Sequence, residues 1–380
     1  MDVESKLINI EGIGKVLARP VSGIPHHSLM NDTFIIPPSS IGLPQEHHII
    51  MSKIGAPVID RSRTLQNVIF PNVVIEDELP TEVINPGSFT ELVDYEIQQI
   101  HNRSIQENLP IVVLYSGGLD STCVACGFLK AGIAIKIVGS QASIDENPSF
   151  YNEVLLNNPL ITLDMENPLR FFKRNIKDYL FVTGECGAHI MGTVNWKDKT
   201  DIEKRCEKRD YLGIDIFDYP SQYHDIAPEL KDKLLKIIDK CPRNIQTSYD
   251  AHWWLIFVLK WQYVANRLQM TINEITPNLI NFYMSRNFQD WALYNDVTVK
   301  CPDNDWKNYK FPIQDYIFAY THNKESSYDV PPRSSIERTY PKITTFGRYV
   351  SANPKKMGYI NPFLPEELTK LGFNYFYFDE

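Results

Sequence analysis

Residues 111–132, IVVLYSGGLDSTCVACGFLKAG, run an apolar strand straight into two adjacent glycines, an acid, and a second apolar segment of helical length. A strand that hands over to a helix through so short a turn needs a sheet in which the helix can fold back. The pattern continues downstream. IAIKIVGS (133–140), LITLD (160–164) and YLFVTGE (179–185) read as further strands, separated by helical stretches SFYNEVLLNN (149–158) and NPLRFFKRNIKDY (167–179), the last with Pro168 near its start. Continuous apolar strands alternating with helices predict an α/β fold, a parallel twisted sheet with helices on both faces. After about residue 225 the strands are expected to give out. APELKDKLLKIIDKC, SYDAHWWLIFVLKWQYVANRL and TPNLINFYMSRNFQDWALYN read as helices, followed by a mostly loop-like tail from about residue 300.

The first 105 residues differ in kind. Proline clusters separate short β-branched runs such as NVIFPNVVIED, which predicts a small β-rich region. It closes with a helix, SFTELVDYEIQQIHNRSI, opening on Ser88 with Glu91 three residues on, a capping-box spacing. The division is therefore 1–105 and 106–380, with a helical part from about 225. Nowhere does an apolar run approach the roughly 20 residues of a membrane span. The start of the chain has no basic flank before an apolar stretch, so a cytoplasmic protein is expected. The 38 basic and 47 acidic residues leave a net charge of −9, which argues against an extensive nucleic-acid surface. Six scattered cysteines do not make a disulfide framework. Cys123 and Cys126 form a C-x-x-C within an apolar helix, where small residues pack, and no second pair follows at ligand spacing.

In an open parallel sheet, ligands bind beyond the carboxyl ends of the strands. SGGLDS (116–121) lies at such an end. Gly117 and Gly118 let main-chain N–H groups approach a ligand, the following helix presents unpaired donors and a partial positive charge, and Ser116 and Ser121 add hydroxyls. Together they predict an anion site suited to a pyrophosphate. Asp120 would repel phosphates unless a divalent cation bridges them; by itself it would be an acid placed favourably in a first helical turn. The spacing matches neither G-x-x-x-x-G-K-[ST] nor G-x-G-x-x-G. It resembles the pyrophosphate loop S-G-G-x-D-S of the N-type ATP pyrophosphatases. That resemblance implies cleavage of ATP between its α and β phosphates, an adenylylated intermediate, and Mg²⁺ at Asp120.

YLFVTGECGAHIMG (179–192) is similar to the second loop of the synthetase domain of asparagine synthetases, with Thr183, Gly184, Glu185 and Gly192 at matching positions. The resemblance covers roughly residues 106–350. It implies an adenosine pocket lined by Leu114, Val138 and Gly184, and a role for Glu185 in binding the substrate or activating the nucleophile. IVGSQASIDENP (137–148) is similar to the family's second strand and acidic loop. Ala188 stands where the family has a magnesium-binding aspartate, and His189 where it has a glutamate. His189 could substitute as a ligand or serve as a structural, hydrogen-bonded residue. VPPRSSIERTYPK (330–342) resembles the stretch carrying the family's late catalytic lysine, which nominates Lys342, with Arg338 beside it and Arg333, Arg348 and Lys324 as alternatives. Asp2 replaces the nucleophilic cysteine of a fused glutaminase, and 105 residues are too few for that domain, so glutamine hydrolysis is not expected.

These readings converge on an ATP-dependent, AMP-forming C–N ligase that adenylylates a carboxylate or amide oxygen and passes it to ammonia or an amine. A separate ammonia donor would be its partner. Two alternatives stay open: modification of a nucleobase or tRNA by the same chemistry, and an ATP-binding protein that has lost turnover.

Overall fold

The computed structural model describes residues 6–10, 14–18, 58, 60–65, 78–192, 228–266, 268, 276–304 and 308–328. Strands β1 (Lys6–Ile10) and β2 (Gly14–Ala18) pair antiparallel. The remaining proline-rich runs before residue 58 lie outside the described residues, as does NVIFPNVVIED. Helix α1 (Phe89–Glu107) starts as its sequence predicts. Ser88 accepts the Glu91 N–H while the Glu91 carboxylate accepts the Ser88 N–H. Those bonds hold the Glu91 carboxyl below its ordinary range.

Strands β3 (Ile111–Leu114), β4 (Ile135–Gly139), β5 (Ile161–Met165), β6 (Leu180–Thr183) and β7 (Leu279–Asn281) form one sheet in the order β5-β4-β3-β6-β7. Every neighbouring pair is parallel. Between β3 and β4 runs α2 (Leu119–Lys130). α3 (Gln141–Glu146) and α4 (Pro148–Phe150), which passes into a widened turn at Tyr151–Leu155, connect β4 to β5. α5 (Pro168–Asn175) connects β5 to β6, and α6 (Gly187–Met191) follows β6.

Alternating side chains divide between the two faces of the sheet. Ile111, Val113, Tyr115, Ile135, Ile137, Leu180 and Val182 join the larger core with α1 and α2. Val112, Leu114, Val138, Phe181 and Leu279 join a smaller core under Phe171 and Phe172 of α5. The architecture is thus α/β, with helices on both faces of a parallel sheet. Cys123 and Cys126 lie wholly buried in α2, where burial pushes the Cys123 thiol up to about 12. They pack.

The helical part comprises α7 (Pro228–Asp239), α8 (Ser248–Leu259), α9 (Trp261–Asn266), α10 (Arg286–Tyr294), α11 (Val297–Lys300) and α12 (Phe311–Thr321). The structure departs from expectation in four places. The stretch from 276 read as one helix instead supplies β7 before α10, because Leu279–Asn281 finds the open edge of β6. The helix read over 248–268 breaks at Lys260. The acidic loop after β4 coils into α3, with Ser140 and Ser143 bonding each other's ends. The tail read as loop contains α12, since Pro312 occupies the first turn and Ile313, Tyr316 and Ile317 bury one face. Residues beyond 328 lie outside the described residues. Among those described, no helix is long and apolar enough to cross a membrane.

Candidate active site

The chain leaves β3 towards β4 on one side, while β6 pairs with β3 on the other. The carboxyl ends of β3 and β6 therefore flank the point where strand order reverses, the usual ligand crevice of such sheets. The turns of the two stretches singled out in the sequence, SGGLDS (116–121) and YLFVTGECGAHIMG (179–192), both emerge there.

The first loop is tied internally. The Ser116 N–H donates to Ser121 Oγ at 3.2 Å, the two hydroxyls lie 3.0 Å apart, and Ser121 Oγ donates to Gly118 O at 3.1 Å. Gly117 has φ +85°, and a Cβ there would sit 2.2 Å from Ser143 O and 2.6 Å from Glu146 Cβ. Its missing side chain thus serves the packing of α3 against the loop as well as any ligand. Gly118 caps α2 without a side-chain hydrogen bond, so no side-chain cap covers the first turn of a 12-residue helix.

The second loop closes on the first. A Cβ on Gly184 would come 2.7 Å from the Ser121 nitrogen, and one on Gly187 would come 2.6 Å from the Asp120 carboxyl carbon. Only glycine permits that approach. The root of this loop is fixed: Thr183 Oγ1 accepts the Glu185 N–H at 3.1 Å and donates to Asn281 Oδ1 at 2.9 Å. Glu185 sits half-buried at the turn itself. α6, beyond it, is held at its far end by three donors. Trp253 Nε1 donates to His189 O at 2.9 Å, Tyr249 OH to Met191 O, and Tyr309 OH to Gly192 O.

Asp120 is where these elements meet. Its carbonyl accepts from Tyr283 OH at 3.1 Å, and burial, then the neighbouring Cys123 and Asp120, push that phenol well up so that it stays a protonated donor. Its carboxylate is paired on both oxygens with Lys310, whose Nζ lies 2.8 Å from Oδ1 and 2.7 Å from Oδ2. Lys310 immediately precedes α12 and has φ +64°, a left-handed backbone. Sequence reasoning did not find it. It stands 190 residues from Asp120, in NYKFP, with no spacing signal to link them. Tyr283, Tyr309 and Gly187 were missed for the same reason.

The other expected residues are distributed as follows. Leu114 and Val138 sit side by side at the ends of β3 and β4, their side chains packed in the smaller core, Val138 with no exposed surface. His189 is buried with its ring edge-on to Trp261, about 200° round α6 from the Gly187 face that meets Asp120. Ala188 offers no ligand. Lys342, Arg338, Arg333 and Arg348 lie outside the described residues. Among the described residues no group of three or more His, Cys, Asp or Glu is gathered to hold a metal. The Asp120 carboxylate, once released by Lys310, is of the kind that could hold Mg²⁺, which commonly takes one or two carboxylates and fills its remaining positions with substrate phosphates and water.

No protein-family model matches the chain, and no curated protein matches its sequence.

Proposed function

We propose that the chain is an ATP-dependent, AMP- and pyrophosphate-forming C–N ligase of the N-type ATP pyrophosphatase kind, with the adenine nucleotide alpha hydrolase-like fold and a likeness to the asparagine-synthetase synthetase domain. One observation carries the reading. The first turn of α2, the Lys310 ammonium, and the loop bearing Glu185 all surround Asp120 at the reversal point between β3 and β6.

In this reading the main-chain donors from Gly118 to Ser121 hold the β and γ phosphates of ATP, with the Gly118 N–H turning to them from Ser116 Oγ, to which it donates at 3.4 Å. The serine hydroxyls keep the loop in shape, and Lys310 neutralises charge on the departing pyrophosphate. Asp120 would hold a Mg²⁺ ion, which when bound supplies further charge neutralisation to the leaving phosphates. The substrate's carboxylate oxygen attacks the α-phosphorus, and the bond to the β-phosphate oxygen breaks. Glu185, on the β6 side, orients the acceptor or receives a proton from the nitrogen nucleophile. Ammonia or an amine then attacks the acyl carbon and AMP leaves. Lys342 remains a candidate for stabilising the α-phosphoryl charge. The setting proposed is cytoplasmic, with a small carboxylate and an amine or ammonia as substrates.

The test is product analysis of purified protein incubated with ATP, Mg²⁺ and mixtures of amino acids, amines or nucleobases. AMP and pyrophosphate are expected, and ADP as the product would defeat the assignment. Asp120→Asn should lower turnover by roughly 10²-fold or more with the fold intact by circular dichroism. Unchanged turnover in that variant would remove Asp120 from the site.

A further inference from the structure

We infer that Lys310 makes this site selective for a cation–triphosphate complex over either of its components, by closing the Asp120 carboxylate until the phosphates draw the ammonium away. The inference rests on the proposed nucleotide function, and it concerns the order in which ligands enter.

The geometry is that of a closed carboxylate. Nζ meets both Oδ1 and Oδ2 at ordinary hydrogen-bond distance. The paired side chains are 12% and 23% exposed, against 43% and 44% for the surface pair Lys130–Asp94. The water that weakens surface pairs is therefore largely kept from this one. The backbone beneath Lys310 is pinned on both sides. Tyr309 is buried and its hydroxyl donates to Gly192 O, while Phe311 and Pro312 begin α12. Exchange of partners is thereby left to the flexible four-carbon stem of the lysine.

Charge decides what can displace the pair. Asp120 is the carboxylate that Lys310 pairs with among the described residues, so a divalent cation arriving alone must displace the ammonium from it, leaving two like charges side by side. A triphosphate arriving alone can take the ammonium, but this uncovers a carboxylate next to phosphate oxygens. When both arrive together, the carboxylate passes to the cation and the ammonium to the phosphates, and no like charges are left unopposed. Gly187 opposite keeps the space beside the carboxylate narrow, since even a Cβ would collide with it. Lys310 is thus a selectivity residue as well as a phosphate ligand.

The experiment titrates Mn²⁺, followed by its paramagnetic resonance signal, into wild type, Lys310→Met, Lys310→Gln and the Lys310→Met/Asp120→Asn double variant. Each is examined without nucleotide and with α,β-methylene ATP. Wild type without nucleotide should bind Mn²⁺ weakly, and the analogue should tighten binding at least ten-fold. Lys310→Met should bind Mn²⁺ without nucleotide at least ten-fold more tightly than wild type, and the double variant should lose that gain. Lys310→Gln, which keeps a polar group beside Asp120, guards against a Met variant that melts early. Equal Mn²⁺ affinity in nucleotide-free wild type and both single variants would overturn the closing role. Failure of wild type to bind the analogue under any condition would overturn the nucleotide reading instead, and the two failures appear in different titrations.

Discussion

Gly117 shows how one position can answer two demands. Its φ of +85° and the carbonyl of Ser143, which a Cβ would meet at 2.2 Å, both exclude a side chain before any ligand is considered. Gly117→Ala should therefore lower stability by about 2–4 kcal/mol, read as a fall in the urea midpoint. A purely ligand-serving glycine would leave that midpoint near wild type and alter nucleotide affinity alone. The arrangement of SGGLDS was legible because it is local: strand end, glycines, acid and helix start are contiguous, and the chemistry proposed for it rests on that arrangement. The sequence did not disclose Lys310, Tyr283 or Gly187, whose relation to Asp120 exists only after the sheet and helical part have packed.

Among the elements, α1, α2, α5 and α7 were legible from signals within each segment, a helix-start residue or the apolar spacing. Ser88 with Glu91 at α1 and Pro168 near the start of α5 are examples. β7 was not legible, because a three-residue strand depends on a neighbour's edge more than on its own residues. α8 is the element behind the site, and its Trp253 indole reaches α6. Against the same ring lie Lys300 Nζ, 3.9 Å from the centroid, and the Arg243 guanidinium, which is paired with Asp250. Burial, then the charge of Arg243, holds the Lys300 amine well below the ordinary lysine value of 10.5. Between that depressed value and 10.5 the unfolded chain carries a proton that the folded chain lacks, so stability rises with pH across the window. The urea midpoint of wild type relative to Lys300→Met should accordingly climb as the pH rises towards 10.5. A constant difference would mean that Lys300 keeps its proton when buried.

At the scale of the whole molecule, the sheet and the helical part share one core with residues from before the first helix. Arg61 is buried, with its guanidinium 5.1 Å from the ring centroids of both Phe257 and Trp261. It donates to Phe257 O, Glu78 O and Gln289 Oε1. Arg61→Ala leaves those acceptors without their donor and should cost about 3 kcal/mol, seen as a lower thermal midpoint. An unshifted midpoint would show that this segment is dispensable to the core. The sequence divided the chain by composition, and composition carries no record of such long-range ties. Everything proposed for the site depends on where a triphosphate lodges in this fold. The direct measurement is a crystal structure of the chain with α,β-methylene ATP and Mg²⁺. The β and γ phosphates are expected against the main-chain donors of Gly118–Ser121, with Lys310 turned from Asp120 onto phosphate oxygen. A nucleotide bound elsewhere, or a Lys310–Asp120 pair unchanged beneath it, would contradict the account.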